Sequence, residues 1–243
     1  MTTDFLIYVV VGFAAQTIDG AMGMAYGVTA TTLLLSFGLS PAAASATVHA
    51  AECVSSGVSA LSHRAFGNIN RMLFRRLVVP GALGAVAGAL VLSHFPSDRF
   101  RPFMAGYLLL MGGTIVFKAF RRFPPRQITS HLAPLGLFGG FVDAAGGGGW
   151  GPIVATTLIA RGSEVRLAIG STSAVEFFVS LAASVAFVSM LGFGEWRIVV
   201  GLALGGALGA PVGAWACRRL PSKTLMVLVG ALVIALSLRA LLV

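Results

Sequence analysis

The sequence predicts an all-α, polytopic membrane protein, and three observations carry that reading. Of 243 residues, 57% are hydrophobic and 10% are charged, where a soluble domain carries roughly a quarter charged residues. The mean hydropathy is +0.91. The apolar residues fall into long runs separated by short basic bursts, as expected when lipid replaces a packed core and charges gather at the ends of spans. An ordinary soluble globule is excluded. The net charge of +9 does not point to nucleic acid, because the Lys and Arg residues form no continuous stripe with interleaved aromatics. Cys53 and Cys217 show no CxxC or metal spacing and read as packing residues, so no metal or cofactor is expected. The first four residues lack the basic n-region of a cleaved signal peptide, so the first apolar run is expected to stay in the mature chain.

Eight apolar stretches follow in order, over 5–37, 41–62, 73–95, 103–117, 132–160, 167–191, 198–217 and 225–243. Most have the length of one crossing. The first and fifth are longer, and glycines break each in its middle, at Asp19 to Gly23 and at Asp143 to Gly151. Arms of roughly 14 residues reach only about 20 Å, short of a 30 Å hydrocarbon core. Each of these two stretches is therefore expected to form a broken or re-entrant helical hairpin. The loops at Arg64 to Arg76, Lys118 to Arg126 and Arg218 to Lys223 are basic and belong on the cytoplasmic side. Counting crossings from them puts 96–102 and 192–197 outside. The fifth stretch then begins and ends inside, as a hairpin does, and the same rule puts Met1 and the segment 38–41 outside.

The two halves are one unit, duplicated. An offset of 124 or 125 positions aligns Asp19 with Asp143, Tyr26-Gly27 with Trp150-Gly151, Glu52 with Glu176, and Gly84 and Gly88 with Gly209 and Gly213. It also aligns 30–33 with 155–158, both of which read Ala-Thr-Thr-Leu. A hairpin plus three crossings per half makes the repeats inverted. The division is 1–120 for the first repeat, 121–131 for a cytoplasmic linker and 132–243 for the second repeat. Inverted repeats with broken helices near the midplane are the architecture of alternating-access carriers.

Gly146 to Gly149, followed by Trp150-Gly151-Pro152, is the most unusual segment. Consecutive glycines let backbone N–H groups converge, and a helix starting near Pro152 adds its positive end, so an anion fits there. The glycine-bearing counterpart spans Gly23 to Gly27. Close packing of helices through small residues is the competing reading. Tyr26 and Trp150 are placed to stack over a solute, or simply to pack. Asp19, Asp143, Glu52 and Glu176 are acids at membrane depth, where a charge costs about 2.5 to 3.5 kcal/mol on insertion scales and a functional role is the default. Ser45, His49, Glu52, Ser56, Ser59 and His63 share one helical face, and Ser173, Glu176 and Ser180 match part of it. That stripe reads as a water-lined path or as hydrogen-bonding glue between helices.

The paired glycine segments, the 143–152 run, Gly170-Ser171-Thr172-Ser173 and the repeated Gly84/Gly88 and Gly209/Gly213 pairs resemble the TauE/SafE sulfite exporter family over essentially the whole chain. The resemblance implies an inner-membrane carrier for a small anionic solute, of the sulfite, sulfoacetate or organosulfonate class. Spans without Lys or Arg leave Gly23, Tyr26, Thr47, His49, Gly147, Gly148, Gly149, Trp150, Ser171, Thr172 and Ser173 as the expected substrate-binding residues. Asp19, Glu52, Asp143 and Glu176 are the expected proton-coupling groups, because a low-dielectric setting disfavours the charged form that would repel an anion. A divalent-cation carrier using the paired carboxylates is the alternative. An enzyme is not expected, since no HExxH, CxxC or GxSxG arrangement is present. Gly81, Gly84 and Gly88, with Gly205, Gly209 and Gly213, suit close helix contacts within one chain or across a homodimer.

Overall fold

The computed structural model describes residues 2–94, 101–121, 125–192 and 194–242. Most of the loop expected from Pro96 therefore lies outside the described residues, as does Arg122 of the linker. The described chain is helical, in the order α1 (Thr2–Met22), α2 (Tyr26–Ser36), α3 (Pro41–Ala65), α4 (Arg71–His94), α5 (Arg101–Ala119), α6 (Leu132–Gly146), a π-helical turn (Gly151–Ala155) running into α7 (Thr156–Arg161), α8 (Val165–Leu191), α9 (Trp196–Arg219) and α10 (Ser222–Leu242). The first stretch becomes α1 plus α2, and the fifth becomes α6, the π turn and α7. Segment Phe5–Met22 of α1, together with α4, α8 and α9, is long and apolar enough to cross a membrane. The protein is a multi-pass membrane protein.

The breaks fall slightly later than the glycine pattern predicts. Asp19 and Asp143 are still helical, and the chain turns at Gly23 to Ala25 and at Gly147 to Gly149. Gly23, Gly147 and Gly148 take φ of 74°, 70° and 129°, values that a residue without Cβ adopts at little cost. As a result α1 has 21 residues, more than the short arm expected. The 11-residue α2 and 15-residue α6 do stop short of a crossing. The far ends of each broken stretch meet. Tyr8 of α1 packs its ring 6.2 Å from that of Phe37, just past α2. Arg161 at the end of α7 donates to the carbonyl and hydroxyl of Ser130, both at 2.9 Å, and the Arg126 N–H donates to the Gly162 carbonyl at 2.7 Å.

Packing crosses between the halves. Helix α1 lies along α9 and α4 along α6, while α3 touches α8 and α9, α4 touches α8, and α5 pairs with α10. Exchanging α1–α5 for α6–α10 maps every one of these pairs onto another or onto itself. Glycine makes the two longest contacts possible. A Cβ at Gly84 or Gly88 would run into the carbonyls of Leu137 or Phe141 on α6, and one at Gly205 or Gly209 into those of Val9 or Phe13 on α1. The two small-residue faces are therefore used inside the chain. The opposite faces of the same helices expose Val79, Leu83 and Leu90, and Leu204, Leu208 and Trp215. Small residues inside and large apolar ones outside is what packing in lipid dictates, since tails solvate the large side chains and close backbone approach supplies the cohesion.

The basic residues of the loops at 64–76, 118–126 and 218–223 gather at one end, together with Arg161. Arg76 bonds the Thr129 carbonyl at 2.6 Å, Lys118 the Ala160 carbonyl at 2.5 Å, and Arg161 Ser130. Arg218 lies over the Phe66 ring at 5.8 Å, and Lys223 over Phe120 at 4.9 Å. The three basic loops, the linker among them, and the end of α7 thus share one face of the protein.

Candidate functional site

Helices α3 and α8 cross the middle of the bundle, and their acids are their central residues. Glu52 is roughly 17 Å along α3, and Glu176 lies at the same depth of α8. Both are buried, as are Asp19 near the end of α1 and Asp143 near the end of α6. Glu176 stands within electrostatic reach of Asp19, Glu52 and Asp143. Four carboxyls thus surround one region at mid-depth.

The two glycine turns meet in that region. A Cβ on Gly27 would stand 2.7 Å from Cα of Gly148, and one on Gly148 would stand 2.5 Å from the Gly27 carbonyl carbon and the Val28 nitrogen. Gly151 in turn presses on the Gly23 carbonyl, and Thr31 donates to the Gly147 carbonyl. The Gly27 and Gly151 contacts exchange with one another under the internal offset, whereas the Thr31 bond has no counterpart, since Thr156 bonds the Pro152 and Ile153 carbonyls of its own segment. Only glycine permits such an approach of backbone to backbone.

The amides of the second turn are occupied by the protein's own carboxyl. Oδ1 of Asp143 accepts from the Gly149 N–H at 2.7 Å and from the Trp150 N–H at 2.8 Å. The Gly148 N–H bonds the Asp143 carbonyl at 3.0 Å. The Gly149 and Trp150 amides make a cradle in which the Asp143 carboxyl is seated. Asp19 faces one backbone amide of the first turn, that of Tyr26, and also accepts from Gln16 Nε2 at 3.4 Å. The other oxygen of Asp143, Oδ2, lies 3.1 Å from His49 Nε2. His49 Nδ1 points at the Ser45 carbonyl, 2.8 Å away, and Ser45 Oγ donates to the Ala144 carbonyl at 2.9 Å. Glu52 Oε2 accepts from Ser180 at 3.1 Å. Ligand atoms of His49, Glu52 and Asp143 all lie within 4.8 Å of one another.

The residues expected to bind substrate separate into groups. Gly23, Gly147, Gly148, Gly149 and His49 are at the meeting of the turns. Tyr26 and Trp150 are fully buried there and act as anchors rather than open platforms. The Tyr26 hydroxyl donates to the Leu202 carbonyl at 3.1 Å and the Trp150 indole N–H to the Thr172 carbonyl at 3.0 Å, while their rings lie against Gly206 and Gly81. The Thr172 hydroxyl bonds carbonyls of its own helix. Ser173 Oγ is buried without a hydrogen-bond partner. Thr47 and Ser171 are buried elsewhere. Thr47 donates to the Ala43 carbonyl of its own helix and sits beside Gly194, whereas Ser171 Oγ accepts from the Asn70 N–H at 2.8 Å and so fastens the connection between α3 and α4 to α8. Sequence reasoning missed Gln16 and Thr31. Gln16 lies one helical turn before Asp19, a spacing that shares a face, and Thr31 belongs to the Ala-Thr-Thr-Leu segment that the duplication repeats.

A polytopic helical protein with broken helices and acids converging at mid-depth has the build of a membrane carrier rather than a receptor or a soluble enzyme. Comparison with known proteins agrees. The model of the sulfite exporter TauE/SafE family matches residues 8–240, and the chain belongs to that family. It is 39% identical to the "Probable membrane transporter protein YtnM" of Bacillus subtilis (strain 168), over 97% of this chain and 82% of that protein. It is 26% identical to the "Probable membrane transporter protein YdhB" of the same organism, over 91% of this chain and 90% of that protein. No solved structure matches it. The protein is a membrane transporter, not an enzyme.

Proposed function

We propose that the protein is a proton-coupled secondary transporter for a small sulfur-containing or organic anion, of the sulfite, sulfoacetate or organosulfonate class. Its two halves are inverted repeats, its site is their interface, and its basic end faces the cytoplasm of a cell whose inner membrane it spans. The observation that carries this reading is the contact of the two glycine turns, Gly27 on Gly148 and Gly151 on Gly23, beside an amide cradle that already holds a carboxylate. A sulfonate or sulfite oxygen presents the same acceptor chemistry to the Gly149 and Trp150 amides once Asp143 moves aside. Glu52 and Glu176 stand beside that cradle and, neutral, would not repel the anion. The test is uptake by proteoliposomes of sulfite, thiosulfate, aliphatic and aromatic sulfonates, carboxylates and divalent metals. Saturable uptake of a sulfur oxyanion or sulfonate, enhanced by an imposed pH gradient, is the expected result, and uptake of none of these anions refutes it.

The proximity of His49, Glu52 and Asp143 favours a second reading, a divalent-cation carrier. Both oxygens of Asp143 and one of Glu52 are already engaged, whereas hard cations recruit six or more oxygens. Metal-dependent thermal stabilisation that disappears in Asp143→Asn would establish it.

A further inference from the structure

The hydrogen bonds around His49 leave one hydrogen to be placed. Nδ1 faces the Ser45 carbonyl at 2.8 Å, and an acceptor at that distance requires an N–H. Ser45 Oγ, 3.3 Å from Nδ1, spends its own hydrogen on the Ala144 carbonyl. In a neutral ring, Nε2 then carries a lone pair. It faces Asp143 Oδ2 at 3.1 Å. The opposite oxygen, Oδ1, accepts two backbone N–H groups and has no place for a hydrogen. Two lone pairs at 3.1 Å in a buried site repel, so the contact requires one hydrogen between Nε2 and Oδ2.

We propose that His49 and Asp143 together hold a single shared proton, the one the transport cycle loads and unloads, in the hydrogen bond that ties the middle of α3 to the end of α6. This rests on the proton-coupled reading above, and it moves His49 from the substrate to the proton. Unloading passes this proton to water. Nε2 and Oδ2 are then left as facing acceptors, and the tie between α3 and the second glycine turn opens. Loading returns a proton from water and closes it. The site exists in one half only. The internal offset aligns Asp143 with Asp19 but His49 with Ser173, whose hydroxyl is buried without a partner. One chain therefore carries one such proton. The titratable groups around the pair are Glu52 on α3, Asp19 on α1, Tyr26 on α2 and Glu176 on α8. Cys53 faces α8 through Ser184, the buried face of α9 adds only Cys217, and Phe187 of α8 covers the His49 ring at 6.0 Å.

The experiment is 15N NMR of histidine-labelled protein in lipid nanodiscs across a pH series. The chain has 4 His, and the His49 signals are assigned by their loss in His49→Gln. Nδ1 is expected to stay protonated throughout, while the shared proton leaves in a single step. Asp143→Asn keeps the Oδ1 acceptor for the Gly149 and Trp150 amides and offers a permanent N–H to Nε2, so the step is expected to vanish with the Nδ1–H tautomer retained. Uptake driven by a pH gradient is expected to fall at least tenfold in the same variant. Three results overturn the proposal: an Nδ1 without hydrogen, a titration step that Asp143→Asn leaves unchanged, or a stoichiometric metal bound at Nε2 in the purified protein. Wild-type-like gradient-driven uptake in Asp143→Asn overturns the transport role of the pair. A shared proton seen by NMR with wild-type uptake indifferent to the gradient upholds the pair and refutes coupling. Gradient-driven uptake with no effect of Asp143→Asn on His49 upholds coupling and refutes the pair.

Discussion

Two alanine substitutions at nearby positions of the same glycine run, Gly146 and Gly148, should have different effects. Gly148 has a φ of 129°, and left-handed backbone costs a residue with Cβ about 1–2 kcal/mol. Its Cβ would stand 2.5 Å from Gly27 and Val28 backbone, against 3.4 Å for ordinary contact. The two turns must part by most of that difference, and overpacking of this kind costs typically 1–3 kcal/mol. The sum for Gly148→Ala is about 2–5 kcal/mol, which at roughly 2–4 °C per kcal/mol lowers Tm by about 4–20 °C. Gly146, two residues earlier, is helical, and its Cβ meets only Val142 at 3.9 Å. Gly146→Ala should be neutral or stabilising by up to about 1 kcal/mol. Fluorescence-detected size-exclusion chromatography of heated, detergent-solubilised protein measures both. Equal behaviour of the two variants, or a Gly148→Ala protein as stable as the wild type, refutes the idea that backbone contact between the turns holds the centre together.

Ala25 has a φ of 109° without being glycine, while its repeat counterpart is Gly149, so Ala25→Gly should relieve strain and raise stability by about 1 kcal/mol in the same heating assay. Trp150→Phe loses both the far ring edge that lies against Gly81 and the hydrogen bond to Thr172 and should cost about 2 kcal/mol, whereas Trp150→Ala should cost about 3–5 kcal/mol through the cavity left behind. Single cysteines replacing Gly67, Arg126 or Lys223 should react with an impermeant maleimide only from the cytoplasmic side, and cysteines replacing Gly38 or Glu195 only from the other. Labelling of Gly67 and Lys223 positions from opposite sides would contradict the grouping of the basic loops.

Much of this architecture is written in local pattern. The glycine breaks, the basic loops and the aligned acids are visible because each depends on spacing along the chain. The helical reach of Asp19 and Asp143 was hidden, since a helix continues until φ changes sign, and that happens at Gly23 and Gly147. Long-range partners were hidden as well. Asp143 and His49 are separated by 94 positions and Ser180 and Glu52 by 128, and nothing in either helix alone says which polar faces will oppose. The aromatic pair shows the limit most clearly. Tyr26 and Trp150 match by repeat, but only the glycines opposite them, Gly206 and Gly81, reveal that they fill space rather than wait for a solute.

The seat of Asp143 in the Gly149 and Trp150 amides has a consequence for the idle carrier. A tethered carboxylate is present at its own receptor at a concentration that no dissolved chloride or bicarbonate matches. If the cargo binds at these amides as proposed, stray small ions are shut out and the cargo has to displace a competitor that never diffuses away. Such self-plugging trades tight binding for low leakage, so wild-type vesicles should hold a chloride gradient that those bearing Asp143→Ala let run down.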